Sequence, residues 1–178
     1  MKIGKILILV GALLTLVSTF FFSFGQTNGA DGRTYMSGIG FLFNLPEIIT
    51  DVNYWVAFSG GEAMVIYIVS IVLLVFLLSG IIQLVGLTNR VVAIIGSLIV
   101  LSLSIVIMLA IFIDIPGWGL NQYSSLLWLA PIVDGIWPLD VPIVTVGTAY
   151  YQTLSLGTIT LVAGGGLGLV GGILGIKD

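Results

Sequence analysis

The residues of this chain that could bear chemistry are few and nearly all of one kind. There are eight carboxylates, five basic side chains, no histidine and no cysteine in 178 residues. The missing histidine removes the usual proton shuttle and the commonest metal ligand, and the missing cysteine removes thiolate nucleophiles, thiolate metal sites and disulfides. What remains is carboxylate chemistry: cation binding or paired-carboxylate hydrolysis. Calcium takes oxygens from closely spaced carboxylates and carbonyls, and no D-x-[DN]-x-[DN]-G loop occurs. Asp114, Asp134 and Asp140 could converge only through folding, and no spacing marks a hydrolytic pair. The more ordinary role of such residues is to solvate a surface and set topology. No Walker, Rossmann or G-x-S-x-G pattern is present, and the glycine-rich end lies inside an apolar run and not after a soluble strand. The reading is therefore a non-enzyme with no metal, no cofactor and no nucleic-acid partner.

The elements that would position these residues are membrane spans. The chain is 58% hydrophobic and 7% charged, against roughly 25% charged in soluble domains. About 20 apolar residues cross a hydrocarbon core of roughly 30 Å, and four segments qualify: 6–24, 63–87, 91–113 and 153–176. The first has a signal-peptide look, with Lys2 and Lys5 ahead of an apolar core, but it is long and lacks an Ala-x-Ala-like site, so it reads as retained. Lys2, Lys5, Arg90 and Lys177 fall on one side, while Asp31, Glu47, Asp51, Glu62, Asp114, Asp134 and Asp140 fall on the other with Arg33. Basic residues stay cytoplasmic. The expected molecule is a multi-pass cell-membrane protein, a single domain with both termini cytoplasmic and outer loops at 25–62 and 114–152. Phe20 to Phe22, Tyr54, Trp55, Trp118, Tyr150 and Tyr151 would form an outer aromatic belt. Ser59 and Glu62 read as a capping box for span two, Thr88 as the cap of span three, and Asp114 as a cap for the turn that follows it.

Span four is rich in glycine, a poor helix former in water that in lipid permits backbones to approach. Gly157, Gly164, Gly168, Gly171 and Gly175 recur at spacings of seven, four, three and four, and Gly164, Gly168 and Gly172 form overlapping G-x-x-x-G pairs. These are the candidate helix-packing residues; their partner is the protein's own spans, another subunit or, least in keeping with glycine chemistry, a pore. Mid-span charges are absent, and Gln83, about one turn from the cytoplasmic end, is the deepest polar group. Ser70, Ser79, Ser97, Ser102 and Ser104 are expected to bond back to their own helices.

The first outer loop offers turns at Asn28-Gly29 and Asp31-Gly32 and one or two short strands within Thr34 to Phe43. An amphipathic helix should follow, with Pro46 at its first position, Ile48, Val52 and Trp55 on one face and Glu47 and Asp51 on another. The second loop is apolar, and Val141 to Val146 reads as a strand pairing with the first loop. Either the loops share a small core, or Trp128, Ile132 and Trp137 stay exposed to bind a neighbouring chain, or the loop re-enters the bilayer. Trp55, Trp118, Trp128, Ile132 and Trp137 are the candidate outer-loop contacts. The fold class is all-α membrane: a four-transmembrane-helix bundle with a small extracellular cap of short strands and one amphipathic helix.

Four spans, cytoplasmic termini, a long first outer loop ending in "NYWVAFSGG" and a tight inner "GLTNR" turn resemble the claudin and peripheral-myelin-protein group of tetraspan proteins. Of that group's first-loop signature only a tryptophan, Trp55, is present; the Gly-Leu-Trp and the cysteines are not. The small, acidic-faced chain is also similar to prokaryotic, including archaeal, membrane proteins. The resemblance to the tetraspan group implies lateral assembly and contacts made by outer loops. The expected function is a structural scaffold, with lipid bilayer and either further copies or another membrane protein as partners. The alternatives are an accessory subunit of a larger complex and a channel or carrier at an oligomer centre.

Overall fold

A computed structural model describes residues 3–29, 32–112, 125–129, 138–146 and 151–175. Among the described residues, four helices are long and apolar enough to cross a membrane. They are α1 (Ile3–Phe21), α4 (Ala63–Val85), α5 (Arg90–Phe112) and α6 (Leu156–Leu174). Two shorter helices, α2 (Gly38–Thr50) and α3 (Val52–Ser59), lie between α1 and α4. The strands are β1 (Gly25–Gly29), β2 (Gly32–Met36), β3 (Trp128–Leu129), β4 (Pro142–Val146) and β5 (Tyr151–Ser155).

The long helices contact one another in a closed ring, α1 to α6 to α5 to α4 and back to α1. Every contact in the ring is antiparallel. Thr15 meets Gln83 and Leu16 meets Gly80 between α1 and α4, while Leu101 meets Gly165 and Ile94 meets Gly172 between α5 and α6.

Several sequence expectations are corrected at the helix ends. α1 stops at Phe21, three residues short of the expected boundary, because the aromatic run Phe22-Ser23-Phe24 leaves the helix for β-type pairing: Phe22 bridges Leu139 and the Phe24 amide donates to the Met36 carbonyl. Thr153 to Ser155, expected to open the last span, belong to β5. Strands occupy 25–29 and 32–36, so of the expected stretch Thr34 to Phe43 only Thr34 to Met36 is strand, since Ser37 caps a helix there by accepting from the Gly40 amide. Pro46 is thus interior to α2, where it removes one helical hydrogen bond. The single amphipathic helix is two, divided at Asp51, whose carboxylate accepts from the Tyr54 amide. Ser59 and Glu62 form no capping box, as Ser59 donates to the Trp55 carbonyl and Glu62 makes no side-chain cap bond. The cap of α5 is Asn89, accepting from Val91 and Val92, whereas Thr88 bonds back to Val85.

The sheet is antiparallel throughout, in the order β3-β2-β1-β5-β4. Its central pair continues the helices: β1 follows α1 and β5 runs directly into α6. Strand β4 pairs with β5 and not with the first loop as expected; the second loop meets the first through β3, which pairs with β2, and through the Leu126 carbonyl, which accepts from Asn44. Met36 and Leu154 flank Gly25 on the face toward the core, where Phe24 packs edge-to-face on Phe76 at 6.0 Å. Phe24, Phe41, Ile48 and Phe76, all fully buried, thus tie the sheet, the short helices and α4 into one core.

Candidate functional site

The most closely built surface in the molecule is the seam between α1 and α6. A Cβ placed on Gly11 would stand 2.6 Å from the Gly164 carbonyl oxygen and 2.7 Å from the Gly168 nitrogen. One on Gly4 would stand 2.4 Å from the Gly175 oxygen, one on Gly171 2.6 Å from the Gly4 oxygen, and one on Gly157 2.2 Å from the Ser23 oxygen. Backbone therefore lies against backbone from one end of the seam to the other. Side-chain hydroxyls reinforce it, since Ser18 bonds Thr160 and Thr158 donates to the Phe24 carbonyl.

The candidate glycines do not share one partner. Gly164 and Gly171 face α1 and Gly157 faces Phe22 and Ser23 just beyond it, whereas Gly172 faces Ile94 of α5 and Gly175, at φ 89°, ends the helix with nothing near its Cβ position. Gly168 lies where the two seams meet: a Cβ there would stand 2.4 Å from Ser97 Oγ of α5 and 3.2 Å from Gln83 Nε2 of α4, while Gly11 of α1 approaches its backbone.

Gln83 is the centre of that junction. Although it is only two residues from the end of α4, it is fully buried. Thr15 Oγ1 donates toward both the Gly11 carbonyl (2.9 Å) and Gln83 Oε1 (3.1 Å), and Gln83 Nε2 donates to Ser97 Oγ across 3.4 Å. Ser97 in turn donates to the Ala93 carbonyl at 2.7 Å. The carboxamide thus joins α4 to α1 and α5 while lying against α6, and it needs the absent side chain of Gly168 to fit. Ser70, Ser79 and Ser104 bond back within their own helices.

Beyond the helices, Asp140 departs from the solvating role expected of it. It is half-buried, and its Oδ1 accepts from both the Ser23 and Ser155 hydroxyls, joining the end of α1, the approach to β4 and the first turn of α6. Ser155 is the N-cap of α6 but makes no cap bond with its side chain. The carboxylate at this helix start is in keeping with the dipole.

Trp55 is not an exposed contact. It is 5% exposed, packs against Tyr54 and Phe58, and its Nε1 has no hydrogen-bond partner. The amphipathic spacing groups it with Ile48, which is also buried, whereas a place in the expected outer aromatic belt would have exposed it. Trp128 lies in β3 opposite Met36. Trp118, Ile132 and Trp137 lie outside the described residues, as do Asp31, Asp114 and Asp134. Among the described residues no three carboxylates gather as a metal cluster.

Two parts of the seam escaped sequence reasoning. Gly4, Gly11 and Ser18 recur at seven-residue spacing with Thr15 between, a small-residue stripe on α1 that mirrors the one on α6. Asp140 carried no local signal, because Ser23 and Ser155 reach it from 117 and 15 residues away. In comparisons with known proteins, no family model, no curated protein and no solved structure matches the chain.

Proposed function

We propose that the chain is a non-enzymatic membrane scaffold, a four-span bundle with cytoplasmic termini and an outer cap, whose copies assemble through the cap. The outward faces of the four long helices support the membrane reading. Ile71 is 61% exposed and Leu78 53%, and Val10, Leu13, Ile95, Leu98 and Val170 are exposed on the other helices. In water such surfaces would aggregate, whereas acyl chains cover them at no cost.

The observation that carries the scaffold reading is where the small residues are spent. The glycine faces of α6 are taken up by α1 and α5 of the same chain, so they are not free to join copies. Among the described residues beyond the long helices, large apolar side chains stay uncovered: Ile143 and Val144 on β4, the last described strand of the sheet, and Tyr54 stacked on Phe58 along α3. An uncharged edge strand accepts another strand readily. Native mass spectrometry after mild extraction into nanodiscs tests this, with a defined homo-oligomer as the expected result. A chain that is monomeric at high concentration in native-like lipid would remove the basis of the proposal.

The same edge would also receive a different protein, which makes an accessory subunit the second reading. A foreign chain co-purifying in fixed stoichiometry would decide for it.

A further inference from the structure

The segment Leu139–Val141 is tied to the ends of two helices. The Leu139 amide donates to the carbonyl of Phe21, the last residue of α1, at 2.8 Å, and its carbonyl accepts from Ser23 at 3.1 Å. The Val141 carbonyl accepts from Leu156, the first residue of α6, at 2.9 Å. The segment is therefore held at the depth at which α1 and α6 end.

Its side chains alternate at that depth. Leu139 is 47% exposed and Val141 37%, and between them Asp140 turns its carboxylate inward onto Ser23 and Ser155. A loop in water has no reason to show its aliphatic residues and withdraw its charge. A segment at the edge of a bilayer does, because unpaired polar groups are costly there while aliphatic side chains are welcome. The helices it joins also expose apolar side chains near the same ends, Val17 and Phe21 on α1 and Ile159 on α6.

We infer that Leu139–Val141 is a collar seated in the outer interfacial zone of the bilayer, with Leu139 and Val141 against the upper acyl chains and Asp140 held away from them by the two serines. The inference rests on the reading that the long helices span the membrane. It sets the outer bilayer boundary at the base of the sheet and not at the helix ends alone.

The chain has no cysteine, so single introduced cysteines can carry a nitroxide without background. Labels at Leu139→Cys and Val141→Cys, in phosphatidylcholine and phosphatidylglycerol vesicles, are compared by oxygen and nickel-chelate collision with Leu78→Cys on α4 and Glu47→Cys on α2. All four positions are exposed, so the labels need no repacking. The expected oxygen-to-nickel ratio at 139 and 141 lies above that at 47 and below that at 78. If 139 and 141 match 47 while 78 remains deep, the collar is overturned and the spans survive. If 78 is also as accessible to nickel as 47, the span reading fails and takes the collar with it. Labels at 139 and 141 that are immobilised and shielded from both reagents would mean that protein covers the segment, which also overturns the proposal.

Discussion

The seam between α1 and α6 and the outer side of the sheet at β4, where no further strand pairs among the described residues, are opposite solutions to the same problem of covering backbone. In the seam, side chains have been removed until two helices touch through their main chains, with Gly4, Gly11, Gly164 and Gly171 at the contacts. At β4 the apolar side chains of Ile143 and Val144 are exposed, as is Val141 just before it. The difference teaches where the chain is self-sufficient. Small residues mark surfaces closed within one copy; bulky exposed ones mark the surfaces that the proposed function assigns to lipid or to another chain.

The sharpest way to break this contrast is to put a side chain into the seam. Gly11→Leu would drive its Cβ into the backbone of Gly164 and Gly168, which cannot rotate away, so a loss of about 3 kcal/mol or more is expected in reversible unfolding from mixed micelles. Gly166, with nothing within 4 Å of its Cβ position, is the matched control, and Gly166→Leu should cost less than about 0.5 kcal/mol. Equal losses at the two sites would mean that the seam is not closed as described.

Asp140→Ala should come next. It deprives Ser23 and Ser155 of a charged acceptor, and a loss of about 2 kcal/mol is expected, with Asp140→Asn recovering part of it. An unchanged unfolding midpoint would return Asp140 to a plain solvating role.

The contrast also explains what the sequence disclosed. Residues 63–85 and 91–112 are long uncharged runs, and hydrophobicity alone located α4 and α5 to within a residue or two. The expected ends of α1 and α6 differ because Phe22 to Phe24 and Thr153 to Ser155 are as apolar or neutral as a span; the first leave the helix by bonding to Leu139, Met36 and Ser155, and the second become strand by pairing with β1 and β4. The glycine spacing on α6 was visible, but a spacing does not name its partner; Gly168 and Gly172 point to different helices. Gln83 was legible as a polar residue and not as a junction, since Thr15 and Ser97 reach it from two other helices.

Gln83→Leu sharpens the comparison from inside the seam. Thr15 and Ser97 keep their bonds to Gly11 and Ala93, so the expected loss is smaller, about 1 kcal/mol, in the same unfolding assay. A loss as large as that of Gly11→Leu would make the carboxamide, and not glycine contact, the main tie between the helices.

The smallest effect on stability belongs to β4. Ile143→Ser combined with Val144→Ser should change unfolding by less than about 0.5 kcal/mol, since both side chains are exposed, while reducing the oligomer measured by light scattering in nanodiscs. Instability of the separated copy would show that β4 is part of the fold and not a free edge.

The most direct test asks which surface meets a second copy. With no native cysteine to interfere, Val144→Cys on the sheet edge and Gly166→Cys on the open side of α6 can be oxidised in native membranes and read as covalent dimers on a gel. The account predicts dimer from Val144→Cys and monomer from Gly166→Cys. Dimer from Gly166→Cys with none from Val144→Cys would contradict it, placing the contact between copies on the helices and leaving the outer edge unoccupied.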